Sequence, residues 1–165
     1  MKKFNIKIFE RSLLFALVFS VLLSFAKFGA SCETLRKNIL RIHIIANSDS
    51  TADQNVKLKV RDAVVSFTDD IFKNCETLYG AENLTKQNLE EINAVCAETL
   101  KENGFPYQSS ARVGKAFFNT REYEDFTLPA GYYDSLIIKL GEGKGHNWWC
   151  VIYPSVCIGG SKANL

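Results

Sequence analysis

One apolar run near the N-terminus divides this sequence into two parts that are expected to lie in different surroundings. Leu13–Ala26 is interrupted only by two serines, and four basic side chains precede it, namely Lys2, Lys3, Lys7 and Arg11. A basic segment followed by an apolar stretch of about 7–15 residues is typical of a secretory signal peptide. A membrane-spanning helix needs about 20 apolar residues. The pattern therefore predicts export and favours a cleaved leader over a retained anchor.

Small residues at the end of the leader predict cleavage after Ala26 or after Ser31. Gly29 lies three residues before Cys32, where a lipoprotein signal has a bulky aliphatic residue, so lipidation of Cys32 is not expected. We therefore expect a signal peptide or membrane anchor over residues 1–31, one domain over residues 32–158 and a frayed tail over residues 159–165.

The charge is distributed unevenly between these parts. Residues 1–31 carry five basic side chains and one acidic one, so this segment has a charge of +4 and leaves −2 for residues 32–165 of a chain whose net charge is +2. Neither this balance nor the net charge of +2 indicates nucleic acid as a partner. Contact with a membrane is expected only through the leader.

The periodicity after the leader predicts two helices between strands. A β-branched run predicts a strand over residues 38–46, and a helix follows from about Ala52 to Lys73. A second helix is expected to have Thr85 as its N-cap and to end at Asn103-Gly104. Three strands are then expected over residues 112–118, 132–140 and 148–153. This order predicts an α+β domain, in which two amphipathic helices pack on a small, mostly antiparallel sheet behind the N-terminal signal or anchor helix.

The first candidate site is the turn between the first strand and its helix. Asn47, Ser48 and Asp49 lie where a strand meets a helix N-terminus, which offers free backbone N–H groups and a positive dipole end. These side chains either cap the helix and stabilise the turn, or bind a ligand or partner. His43 belongs to the apolar strand, where a buried or interfacial role is favoured over that of a metal ligand.

The second candidate site is a glycine-rich segment before the last strand. Three glycines alternate with Glu142, Lys144 and His146, and Asn147, Trp148 and Trp149 follow. The spacing excludes a P-loop, and the missing helix excludes a dinucleotide-binding turn. Either the segment is a flexible hairpin with solvated charges, or it contacts a partner. Adjacent tryptophans in a strand face opposite sides of the sheet, so one is expected in the core and the other outside or at an interface.

The five cysteines leave several arrangements open. Export permits disulfides, and Cys150 could pair with Cys157, or Cys75 with Cys96, but spacing does not determine connectivity. With two histidines and no Cys-x-x-Cys pair, neither a metal site nor a cofactor is expected.

Several segments of the domain have distinctive amino-acid sequences. They are Leu40–Ser50, Leu58–Val64, Leu128–Tyr133 and Gly141–Cys157, of which Gly-Glu-Gly-Lys-Gly-His-Asn-Trp-Trp-Cys at Gly141–Cys150 is the most specific. Together they closely resemble the stage II sporulation protein R family over about residues 36–158.

The resemblance implies a noncatalytic signalling protein of endospore-forming bacteria. Such a protein is secreted from the forespore into the intermembrane space, or stays anchored there if its leader is not cleaved. It would activate a membrane-embedded aspartic protease, its expected partner, which processes pro-sigma-E in the mother cell. The two candidate loops would then form the partner-binding surface. The alternative is an exported hydrolase that uses Cys150 with His146, or His43 with Asp49.

Overall fold

The computed structural model describes residues 6–123 and 127–154. The chain forms two compact units, one ending at Leu35 and the other beginning at Arg36. The first contains nearly all of helix α1 (Ile6–Arg36), which includes the apolar run Leu13–Ala26. This helix is long and apolar enough to cross a membrane, a test that a signal sequence also passes. The predicted apolar N-terminal helix is confirmed, whereas its cleavage and the boundary at residue 31 stay predictions.

The second unit is built on a four-stranded mixed sheet. Its strands are β1 (Leu40–Ile45), β2 (Ser109–Phe118), β5 (Gly131–Leu140) and β6 (Asn147–Tyr153), in the spatial order β2-β5-β1-β6. β1 runs parallel to β5, while the pairs β1–β6 and β2–β5 are antiparallel. A small ribbon of β3 (Arg121–Glu122) and β4 (Thr127–Leu128), which the sequence analysis did not predict, lies between β2 and β5 in the chain.

Three helices, rather than the two expected, connect β1 to β2. They are α2 (Thr51–Phe72), α3 (Leu78–Gln87) and α4 (Leu89–Glu102). The prediction of an N-cap at Thr85 is wrong, because Thr85 lies inside α3, fully buried, and its hydroxyl donates to the Ala81 carbonyl. The N-cap of α3 is Thr77, whose hydroxyl accepts from the Gly80 N–H at 3.1 Å. The α+β class and the mostly antiparallel sheet are confirmed.

The two faces of the sheet carry separate apolar clusters. On the helix face, Leu40, Ile42 and Ile44 of β1 are fully buried and belong to one cluster with Val60 of α2 and Ile92 of α4. This is the core that the periodicity of the helices predicts. The opposite face, called the second face below, carries a smaller cluster of Ile39, Phe118, Leu128, Tyr133 and Val151.

The predicted tail over residues 159–165 and the upper boundary at residue 158 lie outside the described residues.

Candidate functional site

The two candidate loops lie at the same end of the sheet. β1 ends at Ile45, which pairs with Lys139 near the end of β5 and with Asn147 at the start of β6. Because β5 is parallel and β6 antiparallel to β1, the segment after β1 meets the segment that joins β5 to β6. We call residues 46–53 and 141–147 together the corner.

Backbone hydrogen bonds join the two loops of the corner. The Lys144 N–H donates to the Asn47 carbonyl at 3.1 Å, and the Gly145 N–H donates to the Ala46 carbonyl at 2.9 Å. The Asn47 side chain adds a third link, since its Oδ1 accepts from the Glu142 N–H at 2.9 Å. The glycine-rich segment is therefore paired with the first loop over its length, unlike a free solvated hairpin.

Two of the glycines are required by this pairing. Gly141 has a φ of +53°, which side chains other than glycine rarely adopt. A Cβ atom at Gly145 would overlap the carbonyl oxygen of Ser48. The alternating glycines thus allow one backbone to approach the other closely.

Asp53 connects the corner to α2 and to the loop before β2. The Ser50 hydroxyl caps α2 by accepting from the Asp53 N–H at 3.1 Å. The Asp53 carboxylate accepts from Asn47 Nδ2 at 2.9 Å, from the Ser48 hydroxyl at 2.5 Å and from the Tyr107 hydroxyl at 2.7 Å. Burial disfavours the charge, but these hydrogen bonds outweigh it and lower the pKa of Asp53.

Sequence reasoning did not place Asp53 among the site residues. The sequence feature that could have identified Asp53 is its capping-box spacing from Ser50. In a capping box, the side chain at the third helical position usually accepts a hydrogen bond from the backbone N–H of the N-cap residue. The carboxylate instead accepts from three other side chains. Tyr107 had no detectable sequence signal, because it joins the cluster from 54 residues away along the chain.

Asp49 and His146 form the exposed contact of the corner. Asp49 Oδ1 accepts from the His146 N–H at 2.6 Å and lies 2.5 Å from His146 Nδ1. The hydrogen bond from the His146 backbone, followed by that from its side chain, lowers the pKa of Asp49. Both side chains are more than half exposed, so a partner can reach them.

Lys57 stabilises the glycine-rich segment, residues 141–147, through a hydrogen bond to its backbone. It is nearly buried, and its Nζ donates to the His146 carbonyl at 3.0 Å and to Gln54 Oε1 at 2.5 Å. Burial lowers the pKa of this ammonium group. Gln54 in turn donates to the Ser48 carbonyl at 2.9 Å. The corner is therefore supported by side chains of the first turns of α2.

The two tryptophans lie on opposite faces of the sheet, as predicted. Trp148 packs against the helix-face cluster, and the Arg61 guanidinium carbon lies 4.6 Å from its ring centroid. Trp149 packs against the cluster of the second face, where Arg121 lies 4.8 Å from its ring centroid. The expectation of one core and one external tryptophan is therefore wrong. Both tryptophans are half-buried, and each packs against the apolar cluster of its own face.

His43 lies on the second face. Its Nε2 is 3.0 Å from Asn147 Oδ1, and its ring centroid is 5.8 Å from that of Trp149. Burial lowers the pKa of His43, although the hydrogen bond with Asn147 opposes this effect. His43 is thus a half-buried histidine with a side-chain partner.

The remaining predicted residues form the outer rim of the corner. Glu142 and Lys144 make an ion pair of 2.6 Å, and both are well exposed. The structure therefore brings together Asn47, Ser48, Asp49, Glu142, Lys144 and His146, and places Asn147, Trp148, Trp149 and His43 beside them on β6 and β1.

The acid–base pairs of the hydrolase alternative are arranged differently from the sequence proposal. Asp49 contacts His146 rather than His43, and His43 contacts Asn147. Cys150 is buried opposite Ile42, whereas His146 is exposed. Within residues 6–123 and 127–154, no group of three His, Cys, Asp or Glu side chains could hold a metal ion.

Of the two predicted cysteine pairs, one is contradicted by the structure and the other includes a residue outside the described part of the chain. The pairing of Cys75 with Cys96 is wrong, because both are free thiols. Cys96 is fully buried in the helix-face cluster, while Cys75 Sγ lies 3.2 Å from the Thr77 carbonyl oxygen. The proposed Cys150–Cys157 disulfide lies outside the described residues, since Cys157 is not among them.

Comparison with known proteins identifies the family. A family model described as Stage II sporulation protein R matches residues 36–163. A curated protein named Stage II sporulation protein R from Bacillus subtilis (strain 168) is 37% identical over 118 residues, which are 72% of this chain and 53% of that protein. The chain thus spans about half the length of this relative. No solved structure matches. This chain belongs to the Stage II sporulation protein R family.

Proposed function

We propose that this protein is an exported, noncatalytic sporulation signal that activates a membrane-embedded aspartic protease, which then processes pro-sigma-E in the mother cell. Secretion from the forespore into the intermembrane space would bring it to the protease. Family membership supports the sporulation role, and the apolar N-terminal helix is compatible with a signal or anchor.

The observation that carries the proposal is the joining of two polar loops into one rigid corner. The links between Asn47 and Glu142, and between Asp49 and His146, hold charged groups in a defined array. A preorganised surface loses little conformational entropy on binding, which improves affinity. Such a surface is suited to recognition by a partner protein.

Activation requires a difference in affinity between two states of the protease. A ligand shifts a conformational equilibrium only if it binds one state more tightly. We propose that the corner contacts the active arrangement, a dimer, more favourably than the inactive one. The exposed ion pair of Glu142 and Lys144 is the part of the corner that such a contact would reach first.

A charge swap tests this surface without dismantling it. The double variant Glu142→Lys/Lys144→Glu can reform the ion pair and preserves the net charge. It exchanges the positions of the positive and negative charges that a partner would contact. We expect it to lose most precursor cleavage when the purified full-length chain is reconstituted with the protease and its precursor. The matched control, Glu82→Lys/Lys86→Glu, swaps the 2.6 Å ion pair of α3 and should keep wild-type activity.

The outcome depends on folding being intact. Both variants should show wild-type circular dichroism, and full cleavage with a folded corner variant would contradict the proposal. Trp148 is a poorer choice for substitution, because it also packs on the core and on Arg61.

The hydrolase alternative is favoured by one observation, the contact of an exposed imidazole with a carboxylate, which is part of the arrangement used for nucleophilic catalysis. Cys150→Ala separates the two proposals. The thiol is buried, so its loss should leave an activator working, whereas an enzyme that uses Cys150 as nucleophile would lose all activity.

A further inference from the structure

Among residues 6–123 and 127–154, the charged side chains that the four main strands place on the second face of the sheet are all basic. Arg112 of β2 and Lys139 of β5 are exposed there, and Arg121 lies over Trp149. Within the described residues, none of the four main strands places an acidic side chain on this face. Since residues 32–165 carry a net charge of −2, this concentration of positive charge is contrary to the overall balance of the domain.

A buried arginine adds to this positive field. Arg41 is fully buried, and its guanidinium carbon lies 3.9 Å from the Phe118 ring centroid. Its Nη2 donates to the Tyr123 hydroxyl at 3.2 Å, while its Nε and Nη1 have no hydrogen-bond partner among the described residues. The field of such a buried charge extends to the surface above it.

A groove lies at the end of this face nearest the corner. It has a volume of about 280 Å³, with apolar walls from Ile45 and Ile137 and cationic ones from Arg112 and Lys139. This is at the lower limit of the roughly 300–1,000 Å³ of typical small-molecule pockets. The apolar and cationic walls suit one or two side chains of a larger partner, a carboxylate together with an apolar neighbour.

We propose that the second face binds an extended acidic segment of a partner protein, with its carboxylates on Arg112 and Lys139 and its apolar side chains on Ile45 and Ile137. Bidentate contact with arginine is the favoured geometry for a carboxylate. This surface uses residues other than the Glu142–Lys144 rim, so this inference and the proposed function can fail independently.

A lipid bilayer and the C-terminal residues 155–165 of this chain are both disfavoured as occupants of the second face. The exposed aromatic residues Phe117 and Tyr132 project from the helix-face side of β2 and β5, and the second face has no comparable exposed side chain among the described residues to insert into a bilayer. Residues 155–165 carry one charged side chain, Lys162, and so do not complement a basic groove.

The test uses the full-length protein in neutral detergent and a defined probe. The probe is a fluorescent eight-residue peptide of alternating aspartate and valine, with asparagine replacing aspartate in the neutral control peptide. We expect saturable binding of the acidic peptide by fluorescence anisotropy, weakened by salt. The variant Arg112→Gln/Lys139→Gln should reduce its affinity by roughly three- to tenfold, as expected for two lost charge contacts at exposed side chains.

The matched control is Lys101→Gln/Lys115→Gln, which removes the same charge from α4 and from the opposite side of β2. It should bind within about twofold of wild type. Equal binding by the groove variant, no saturable binding by wild type, or equal binding of the neutral peptide would overturn the proposal. Two further results would also overturn it, namely binding only to phosphatidylglycerol vesicles, and a dimer of wild type that the groove variant abolishes.

Discussion

Asp53 is a nearly buried carboxylate that accepts hydrogen bonds from Asn47, Ser48 and Tyr107. Because its pKa is lowered in the folded state, it stabilises the protein above the unfolded-state pKa. That contribution is lost as the pH falls through the folded-state pKa. A single side chain thus links the stability of the corner to pH.

Asp53→Asn tests this link. An asparagine cannot accept all three hydrogen bonds on a charged group, so we expect a loss of roughly 1–3 kcal/mol in the free energy of unfolding at pH 7. Urea denaturation at several pH values should also show a smaller loss of stability below about pH 4 than in wild type. Asp62→Asn, at an exposed site on α2, is the control and should change stability by less than about 1 kcal/mol. Equal effects of the two substitutions would contradict the role assigned to Asp53.

Gly145→Ala tests the close approach of the two loops. The new Cβ would meet the Ser48 backbone, which cannot move without breaking the corner. We expect a loss of roughly 1–3 kcal/mol from this overpacking, measured by urea denaturation. Gly80→Ala is the comparison, because its Cβ would meet mainly the movable Cys75 thiol and the Thr77 hydroxyl. A Gly145→Ala variant as stable as wild type would show that the two backbones are not in contact.

At the scale of elements, the helix between α2 and α4 begins earlier than its sequence suggests. Thr77, not Thr85, caps α3, and both are threonines followed by plausible helical residues. Replacing Thr77 with Ala should cost about 1 kcal/mol, the usual value of an N-cap. Chemical denaturation of Thr77→Ala beside Thr77→Ser, which keeps the hydroxyl, measures this cost. An unchanged stability of the alanine variant would place the cap elsewhere.

The cysteines of the helical layer differ in accessibility. Cys96 is fully buried in α4, and burial raises the pKa of its thiol to about 12. Cys75 lies in the loop before α3 and is partly exposed. Alkylation of the native protein at pH 8, followed by mass spectrometry, should modify Cys75 and leave Cys96 untouched, since the thiolate is the reactive form. Protection of both cysteines that is lost on reduction would instead indicate that they form a disulfide.

At the scale of the whole molecule, the domain after α1 contains its own core. Both apolar clusters are formed by residues from Ile39 onward. A chain lacking residues 1–35 should therefore unfold cooperatively in urea, with the strand content of the full chain in circular dichroism. Loss of cooperative unfolding would show that α1 is part of the folding unit.

Periodicity predicted much of this architecture correctly. The α2 segment was recognised by its 3.6-residue spacing, and the β1, β5 and β6 segments by short apolar runs rich in β-branched and aromatic residues, because these strands bury side chains on both faces of the sheet. The split between α3 and α4 was missed because Asn88 ends one helix and begins the next without a glycine or proline. The β3–β4 ribbon was missed because its strands have only two residues each, too short for a periodic signal.

The apolar leader, the family resemblance and the residue types at the corner can be recognised in the amino-acid sequence, because they depend on composition and local order. The contact of Asp49 with His146 rather than His43, the hydrogen bond between Asp53 and Tyr107, and the placement of basic side chains on one face depend on the folded sheet. These relations join residues far apart in the chain, and the pairing of β1 with β5 and β6, and of β2 with β5, brings them together. No local pattern encodes a register between distant strands, so the corner exists only once the sheet has formed.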